Sequence, residues 1–399
     1  MNVIAAEHVA TSSASGSPIR ALMYIFFPGG GIGRYTDHLA SALTSTTRVS
    51  AEVACSPQFE YLKTADYPTW PHLSSINSRN PLLRKAKFLR SQFTSPRLAI
   101  SRARQIRAEI LHFSNINHLS YATWRKAALR GPFHMIATAH DVRRGVAIVN
   151  RSWETKWLVQ FYRDCRALFV HSDSQKQDLL TFAAVDPDIV HVVPHGIYEY
   201  PRPTAGQDQL RQKYNIPRDA SVGLFFGAIR EDKNLDNLLI ALANASTEQH
   251  LVIAGRPRND EAGRVLRSHI HTLGLDRQVL LLDRFIPEEE VGDLFELSDF
   301  VALTYRSSFS SQSGVLNVAA HYHRPILTSD APTLSETVSR HSIGKCCPGD
   351  DPESIAVGLR KMLRIEVTDQ CFTKYRQCHS WEHVALATAG VYRRLTHGR

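Results

Sequence analysis

Short apolar runs alternate with segments of helical periodicity along most of the chain. In the first half, β-branched and aromatic residues concentrate in runs at 21–27, 109–115, 134–141, 167–174 and 189–196. Several of these runs lead into segments whose apolar residues recur at helical spacing. This alternation predicts α/β structure, with a parallel sheet covered by helices on both faces.

The pattern breaks once and then resumes. Residues 196–209, GIYEYPRPTAGQDQ, contain two prolines and two glycines without periodicity, so we predict an interdomain linker at 199–209. Beyond it, apolar runs at 221–229, 250–255, 278–285, 300–305 and 324–330 again alternate with helical segments. Because 399 residues exceed one ordinary core, we expect a loose tail at 1–18, a first Rossmann-like domain at 19–198 and a second doubly wound domain from 210. Two such domains facing each other place ligands at the carboxyl ends of their strands, in the cleft.

Composition is that of an ordinary globular protein, with 43% hydrophobic and 21% charged residues. Residues 1–18 lack the basic start and the apolar run of a signal peptide, and the longest apolar stretches are too short to span a bilayer. The six cysteines form no C-x-x-C pair, which favours reduced thiols in a cytoplasmic protein.

The net charge of +9 is unevenly distributed. Residues 79–107 contain nine Lys or Arg and no acidic residue, with leucines and phenylalanines between them. This segment is either a solvated helix with a cationic face or an element that lies on an anionic membrane surface, here the inner face of the membrane. The chain has no zinc-finger or RNA-binding signature, so nucleic acid is not predicted as a partner.

Two glycine-containing loops carry candidate chemistry. A strand leads into glycines that include Gly30 and Gly31, which form either a tight turn or a site where backbone N–H groups approach an anion. A later strand ends at Gly227 and is followed by Arg230 and Lys233 before a helix. Two cations at that position suit a diphosphate, and the alternative is that both are simply solvated.

A third loop opens the helix VLNVAAHYH with hydroxyl, amide and small side chains at Ser311, Gln312, Ser313 and Gly314. These groups and the free N–H groups of a helix start suit a phosphate or a sugar hydroxyl, with a plain serine N-cap as the alternative. His140 and His195 each end a strand and could face the same cleft. The histidine pairs at 269/271 and 321/323 diverge on a helix, so no metal is predicted.

In this order, eight segments resemble the retaining glycosyltransferase family 4, which has the GT-B architecture. The segments read GGGIGRYTDHLASAL, TAHD, VHSDSQKQDLL, VVPHGI, FGAIREDKNLDNLLIAL, LVIAG, VLLLDRFIPEEEVGDLFELSDFVALTY and GVLNVAAHYHRPILTSD, and the resemblance covers about residues 20–395. Each segment is weak alone, but all eight in the family's order are specific. The resemblance also implies a closing helix at 381–399 that packs back on the first domain, which leaves 210–380 as the nucleotide-sugar-binding domain.

The resemblance implies three catalytic residues. Lys233 matches the family's diphosphate lysine, six residues after Gly227. The arginine that usually follows that glycine is replaced by Ala228, and Arg230 is expected to stand in for it. His140 matches the family's cleft histidine, near the transferred sugar.

The resemblance also implies the donor-binding residues. Gly30 and Gly31 match the loop that faces the phosphates and acceptor, and the base lies against Arg284, Phe285 and Ile286. The family usually has two glutamates eight residues apart, and here those positions are Phe309 and Asn317. We interpret this as a subtype in which the SQSG residues at 311–314, together with Asn317, replace carboxylate contacts.

The sequence therefore predicts a metal-independent hexosyltransferase without cofactor. It would move a sugar from a UDP- or GDP-linked donor to a glycan or lipid-linked acceptor in surface polysaccharide biosynthesis. A catalytically degenerate sugar-nucleotide-binding protein and a GT-B epimerase remain alternatives. A nicotinamide-dependent oxidoreductase would need an orderly glycine motif with a ribose-binding acid, and the chain has neither.

Overall fold

The computed structural model describes residues 17–27, 29–76, 78, 80–143, 147–245 and 248–398. The first domain is built on a seven-stranded parallel sheet with the order 3-2-1-4-5-6-7. Its strands are β1 (Ile19–Tyr24), β2 (Val49–Ala54), β3 (Thr69–Trp70), β4 (Ile110–Phe113), β5 (His134–Thr138), β6 (Ala167–Val170) and β7 (Val190–Val192).

The second domain is built on a six-stranded parallel sheet with the order 10-9-8-11-12-13. Its strands are β8 (Val222–Phe226), β9 (His250–Ala254), β10 (Val279–Leu282), β11 (Phe300–Leu303), β12 (Ile326–Ser329) and β13 (Gly344–Cys347). Four inner strands, β4, β6, β11 and β12, are buried at every position, as expected where helices cover both faces of a sheet. The two doubly wound α/β domains predicted from the sequence are confirmed.

Fourteen α-helices lie in the described ranges: α1 (Gly30–Thr46), α2 (Pro81–Gln105), α3 (Tyr121–Leu129), α4 (Arg151–Asp164), α5 (Asp173–Ala183), α6 (Gln207–Lys213), α7 (Leu235–Asn244), α8 (Asp260–Thr272), α9 (Glu288–Leu297), α10 (Gly314–His321), α11 (Pro332–His341), α12 (Pro352–Met362), α13 (Asp369–Cys378) and α14 (Trp381–His397). Short 3₁₀ turns occupy 118–120, 187–189 and 231–233. None of these helices combines the length and the apolar character needed to cross a bilayer.

Each sheet has a point where its strand order reverses. β1 lies beside β4 in the first sheet, and β8 lies beside β11 in the second. Loops that leave such neighbouring strands in opposite directions open a crevice at the carboxyl edge of the sheet. The glycine turn after β1 and the turn containing Gly227 after β8 lie at these two points.

The last helix, α14, returns to the first domain and packs against α1. Its buried residues Val384, Ala385 and Tyr392 share a core cluster with Leu39 of α1. The hydroxyl of Tyr392 lies 2.6 Å from Nδ1 of His112 in β4. The chain therefore crosses between the domains twice, once between β7 and α6 and once before α14.

The segment expected to be the linker is partly helical. Helix α6 begins at Gln207, inside the predicted range 199–209, and its Leu210 is buried in the second domain. The side-chain amide of Gln207 donates to Asp299 at 3.0 Å, which fixes the start of α6 to that domain. The stretch without helix or strand between β7 and α6 is thus 193–206.

Candidate active site

A glycine at the end of β8 brings a lysine close to the strand. Gly227 has a φ of +98°, in the region that favours glycine, and its N–H donates to the carbonyl of Ala254 at 2.9 Å. A Cβ at this position would lie 3.2 Å from Nζ of Lys233. The glycine thus provides both the backbone turn and the space that the ammonium occupies.

Lys233 is a buried cation at the edge of the cleft. Its side chain is 8% exposed, and Nζ lies 5.1 Å from the centre of the Tyr305 ring. Within the described part of the chain, this ammonium forms no ion pair and no hydrogen bond. A cation on a mostly buried side chain without an internal partner attracts an anion, so an anion bound at Lys233 would be favoured.

The neighbouring arginine is placed differently. Arg230 is exposed, and its guanidinium donates to the carboxylate of Asp232 at 2.9 Å. The phosphates of a bound nucleotide would have to compete with the Asp232 carboxylate for the Arg230 guanidinium. Of the two cations predicted from the sequence, Lys233 is therefore the one without an internal partner.

The loop between β10 and α9 presents an aromatic ring. Phe285 is 76% exposed, whereas Ile286 is 8% exposed and packs in the core. The guanidinium of Arg284 donates to Glu290 at 3.0 Å, and this pairing holds the pKa of the Glu290 carboxyl below its usual range. An exposed ring beside a fixed arginine suits a nucleobase, which stays a prediction for these three residues.

The loop that opens α10 leaves donors without partners. Ser313 is the N-cap residue of α10, but its hydroxyl lies 3.2 Å from the Tyr305 hydroxyl and caps no N–H of the helix. The side-chain nitrogen of Gln312 is buried without a hydrogen-bond partner among the described residues. The backbone N–H groups in the first turn of α10, starting at Gly314, therefore have no side-chain cap. The alternative that Ser313 serves only as an N-cap does not agree with this geometry.

The two positions that hold glutamates in the family are buried here. Phe309 is 9% exposed and its ring packs edge-on against Tyr305, with centroids 4.9 Å apart. Asn317 is 3% exposed, with its nitrogen 3.0 Å from Nδ1 of His195 and its oxygen accepting from the Tyr375 hydroxyl at 2.6 Å. The amide of the predicted donor-binding residue Asn317 is thus already hydrogen-bonded, through its nitrogen to His195 before the second domain and through its oxygen to Tyr375 within that domain.

The first domain contributes a group of buried histidines. The ring of His140, directly after β5, packs edge-on against Tyr35 with centroids 4.6 Å apart. Nδ1 of His140 lies 3.0 Å from Nε2 of His171. Burial, reinforced by His171, holds the pKa of His140 well below its usual range, and burial lowers that of His195 to about 4. These rings are neutral at pH 7.

The glycine turn of the first domain is not empty. Gly30 has a φ of +72°, and its N–H faces a carboxylate oxygen of Glu60 at 3.4 Å. That carboxylate also lies against Gly29, whereas Gly31 has open space around it. An internal carboxylate thus holds the place where the sequence predicted an anionic ligand, and nothing in the sequence pattern marked Glu60.

Several contacts join the domains across the cleft. The Ser311 hydroxyl donates to the carboxylate of Asp141, next to His140. The side-chain nitrogen of Gln175 donates to the carbonyls of His140 at 3.0 Å and Ser310 at 3.4 Å. The structure therefore brings the predicted His140 and the SQSG loop together.

A second cross-cleft link was not predicted from the sequence. The guanidinium of Arg34 in α1 donates to the Tyr200 hydroxyl at 2.8 Å and to Glu288 of α9 at 2.9 Å. It also lies over the rings of Tyr198 and Tyr200, at 4.5 Å and 4.6 Å. Arg34 belongs to the segment GGGIGRYTDHLASAL. Its position directly after the glycine turn is the feature of the sequence that could have marked it as a candidate site residue.

Two facing Rossmann-like domains, each built on a parallel sheet, are the GT-B architecture. The sequence model of Glycosyltransferase Family 4 matches residues 29–198, and that of Glycosyl transferases group 1 matches residues 206–378. The chain belongs to glycosyltransferase family 4.

Known proteins agree with this assignment. The D-inositol 3-phosphate glycosyltransferase of Jonesia denitrificans is 26% identical over 259 residues, which cover 59% of this chain and 58% of that protein. The chain thus matches less than two thirds of the length of this relative. A glycosyltransferase from Rickettsia africae aligns with a TM-score of 0.70 at 15% identity, over 95% of this chain and 99% of that one. HepE of Anabaena, in complex with UDP and glucose, aligns with a TM-score of 0.69 at 15% identity, over 94% and 99%.

Proposed function

We propose that the protein is a retaining hexosyltransferase that moves a sugar from a UDP- or GDP-linked donor to an acceptor hydroxyl. The observation that carries this proposal is the buried Lys233 beside Gly227, which lacks an anionic partner in the described chain. The leaving nucleoside diphosphate gains negative charge as the glycosidic bond breaks. A fixed ammonium therefore stabilises the transition state more than the bound donor.

Other groups of the site have roles that follow from their chemistry. The uncapped N–H groups at the start of α10 would share the diphosphate charge with Lys233, so no metal is required for this step. The free donor of Gln312 and the acceptor of His140 suit sugar hydroxyls. Because Phe309 and Asn317 supply no carboxylate, departure and attack on one face of the sugar fit better than a double displacement.

Thermal unfolding with nucleotides tests the donor site. A ligand that binds only the folded protein stabilises it by about 2.7 kcal/mol at one hundred times its Kd. We expect millimolar UDP or GDP to raise the Tm, and ADP and NAD to leave it unchanged. A rise with NAD alone would overturn the proposal.

A non-catalytic sugar-nucleotide-binding protein is the second candidate. It is favoured by the missing carboxylates and by Glu60, which lies in the glycine turn. Release of UDP or GDP from sugar donors, in the presence of glycan and lipid extracts, separates the two. Binding without release would support the second candidate.

We also propose that the acceptor is a lipid-linked or growing surface glycan, reached from the inner face of a membrane. Helix α2 supports this, since Leu82, Leu89 and Phe93 recur at spacings of seven and four and are 76%, 50% and 42% exposed. Lys85, Arg90 and Arg97 flank this apolar face, and Arg84 and Lys87 add charge on the opposite side of the helix. Such a face binds anionic bilayers through both charge and apolar burial. Arg79, the first cation of the predicted stretch, lies outside the described residues.

The same helix reaches toward the end of β1. The ring of Phe88 lies 5.8 Å from that of Phe26, just after the strand. Helix α2 therefore connects an exposed face to the carboxyl edge of the first sheet, where an acceptor would enter.

Vesicle flotation tests the membrane surface. We expect the protein to float with vesicles that contain phosphatidylglycerol, and the double substitution Leu89→Glu, Phe93→Glu to abolish this. Val265→Glu on α8 is the matched control, since Val265 is 63% exposed in the second domain. Equal binding to neutral and anionic vesicles would contradict this part of the proposal.

A further inference from the structure

Two histidines from neighbouring strands form a chain of hydrogen bonds beneath the cleft. His140 follows β5 and His171 follows β6, and their rings are joined by the 3.0 Å contact between Nδ1 of His140 and Nε2 of His171. The other nitrogen of His171, Nδ1, lies 2.9 Å from the carbonyl oxygen of Val193. The direction of one of these hydrogen bonds is fixed, because the carbonyl oxygen of Val193 can only accept a hydrogen bond.

The positions of the protons follow from that direction. Nδ1 of His171 must carry its proton to donate to Val193, so Nε2 of the same neutral ring bears a lone pair. That lone pair must accept from His140, whose proton is therefore on Nδ1. Nε2 of His140 is left as an acceptor, and it is buried with no hydrogen-bond partner among the described residues.

We propose that His171 is a positioning residue that fixes His140 in the Nδ1–H tautomer, so that Nε2 accepts a hydrogen bond from a hydroxyl of the donor sugar. The functional half of this inference rests on the proposed sugar transfer. A sugar with a hydroxyl at that point is preferred over one with a carboxylate, because a carboxylate brings no proton to an acceptor. Specificity for neutral over acidic sugars follows.

The surroundings hold both rings in place. The side-chain oxygen of Gln175 accepts from the backbone N–H of His171 at 2.9 Å, and its nitrogen donates to the carbonyl of His140. The ring of Tyr35 packs against both histidines, and His195 lies against His171. Burial holds the pKa of each of the three histidines low, so the neutral forms assumed in the argument are present at pH 7.

The first test uses the ligand-free protein labelled with ¹⁵N-histidine. Long-range ¹H–¹⁵N spectra distinguish protonated from unprotonated ring nitrogens, and the variant His140→Asn assigns the signals. We expect Nδ1 to be the protonated nitrogen of His140 in the wild type and in His171→Gln, whose side-chain oxygen can still accept. In His171→Leu, Nδ1–H would lose its acceptor, so the Nε2–H tautomer should become dominant. An Nε2–H tautomer in the wild type, or an unchanged spectrum in His171→Leu, would overturn the inference.

The second test measures transfer with UDP-glucose and UDP-glucuronate as donors. We expect kcat with UDP-glucose to fall at least tenfold in His171→Leu and to recover in His171→Gln, while the acceptor KM stays constant. UDP-glucuronate should be the poorer donor for the wild type. Equal activity of both His171 variants would overturn the positioning role. If the wild type transfers no sugar from any UDP- or GDP-linked hexose but the spectra agree, the proposed function fails and the tautomer assignment stands.

Discussion

Replacing Lys233 by methionine removes one charge while keeping a side chain of similar length. Lys233 as a whole is 8% exposed, and its ammonium has no ion-pair partner in the described chain and lies 5.1 Å from the centre of the Tyr305 ring. Methionine keeps a side chain of similar volume beside the Tyr305 ring, and it removes a cation that has no ion-pair partner in the described chain. We therefore expect the Tm of the ligand-free Lys233→Met protein to be unchanged or slightly raised.

The loss should be confined to binding and catalysis. Removing one fixed donor to a developing oxyanion costs about 2–4 kcal/mol of transition-state stabilisation. This range corresponds to a decrease of about 30- to 900-fold in kcat/KM. Because Lys233 is nearly buried, solvent screens its charge weakly, and we expect a value in the upper half of that range.

The assay compares three proteins. Wild type, Lys233→Met and Lys361→Met are measured for kcat/KM with the donor and for the rise in Tm with UDP or GDP. Lys361 lies exposed at the end of α12 and serves as the matched control for loss of one lysine charge. A Lys233→Met enzyme with unchanged kcat/KM would refute the assigned role, and so would an equal loss in Lys361→Met.

Three further predictions concern the same region. Gly227→Ala should cost about 1–2 kcal/mol of stability, because the position has a positive φ, and it should abolish the rise in Tm with UDP or GDP. The control Gly274→Ala, at a φ of +68° in open space, should lose stability but keep the rise in Tm with the nucleotide. A rise in Tm that is retained in both variants would contradict this prediction. Asn317→Glu should leave kcat no higher than in the wild type, and a higher kcat would contradict this. The substitution should also lower the Tm more at pH 8 than at pH 5, because an ionised carboxylate would be buried beside the neutral ring of His195. Stability should decrease from about pH 6.5 towards pH 4, because burial lowers the pKa of His171 to about 3 and of His195 to about 4, so the unfolded chain binds the extra protons. Each contributes up to about 1.4 kcal/mol per pH unit, and a Tm constant from pH 7 to pH 5 would contradict this.

The positions of most strands and the fold class could be predicted from the sequence because buried parallel strands are continuous apolar runs. All ten runs chosen from the sequence contain strands of the two sheets. The missed strands were β2, whose sequence VSAEVA includes serine and glutamate, and the edge strands β3 and β13. Edge strands are half solvated or very short, so their sequences lack the apolar run that marks a central strand.

Helix starts were predicted less well than strands. The linker was expected to extend to 209, but α6 begins at Gln207, where the preceding residue is Gly206 rather than a strong capping residue. The polar sequence QDQLRQK gives little apolar periodicity over seven residues. Its position is decided by tertiary contacts such as Gln207 with Asp299.

The sequence could predict those parts of the candidate site that are formed by residues close together along the chain. Gly227 and Lys233 are close because one turn of fixed length joins them, and this is a local property of the sequence. Glu60, His171 and Arg34 act through contacts 30 to 254 residues apart along the chain, which spacing cannot reveal. The tautomers of the histidines cannot be predicted from the sequence either, because they depend on which carbonyl faces which ring in the fold.

The absence of glutamates at 309 and 317 has a physical reason in the neighbouring residues. A carboxylate at 317 would face the neutral ring of His195 and the Tyr375 hydroxyl, and no cation pairs with Asn317 in the described structure. A carboxylate at 309 would lie against the Tyr305 ring in an apolar core. Both positions are buried. Introducing a glutamate at either position should therefore destabilise the protein without improving the site, because burial disfavours the ionised carboxylate.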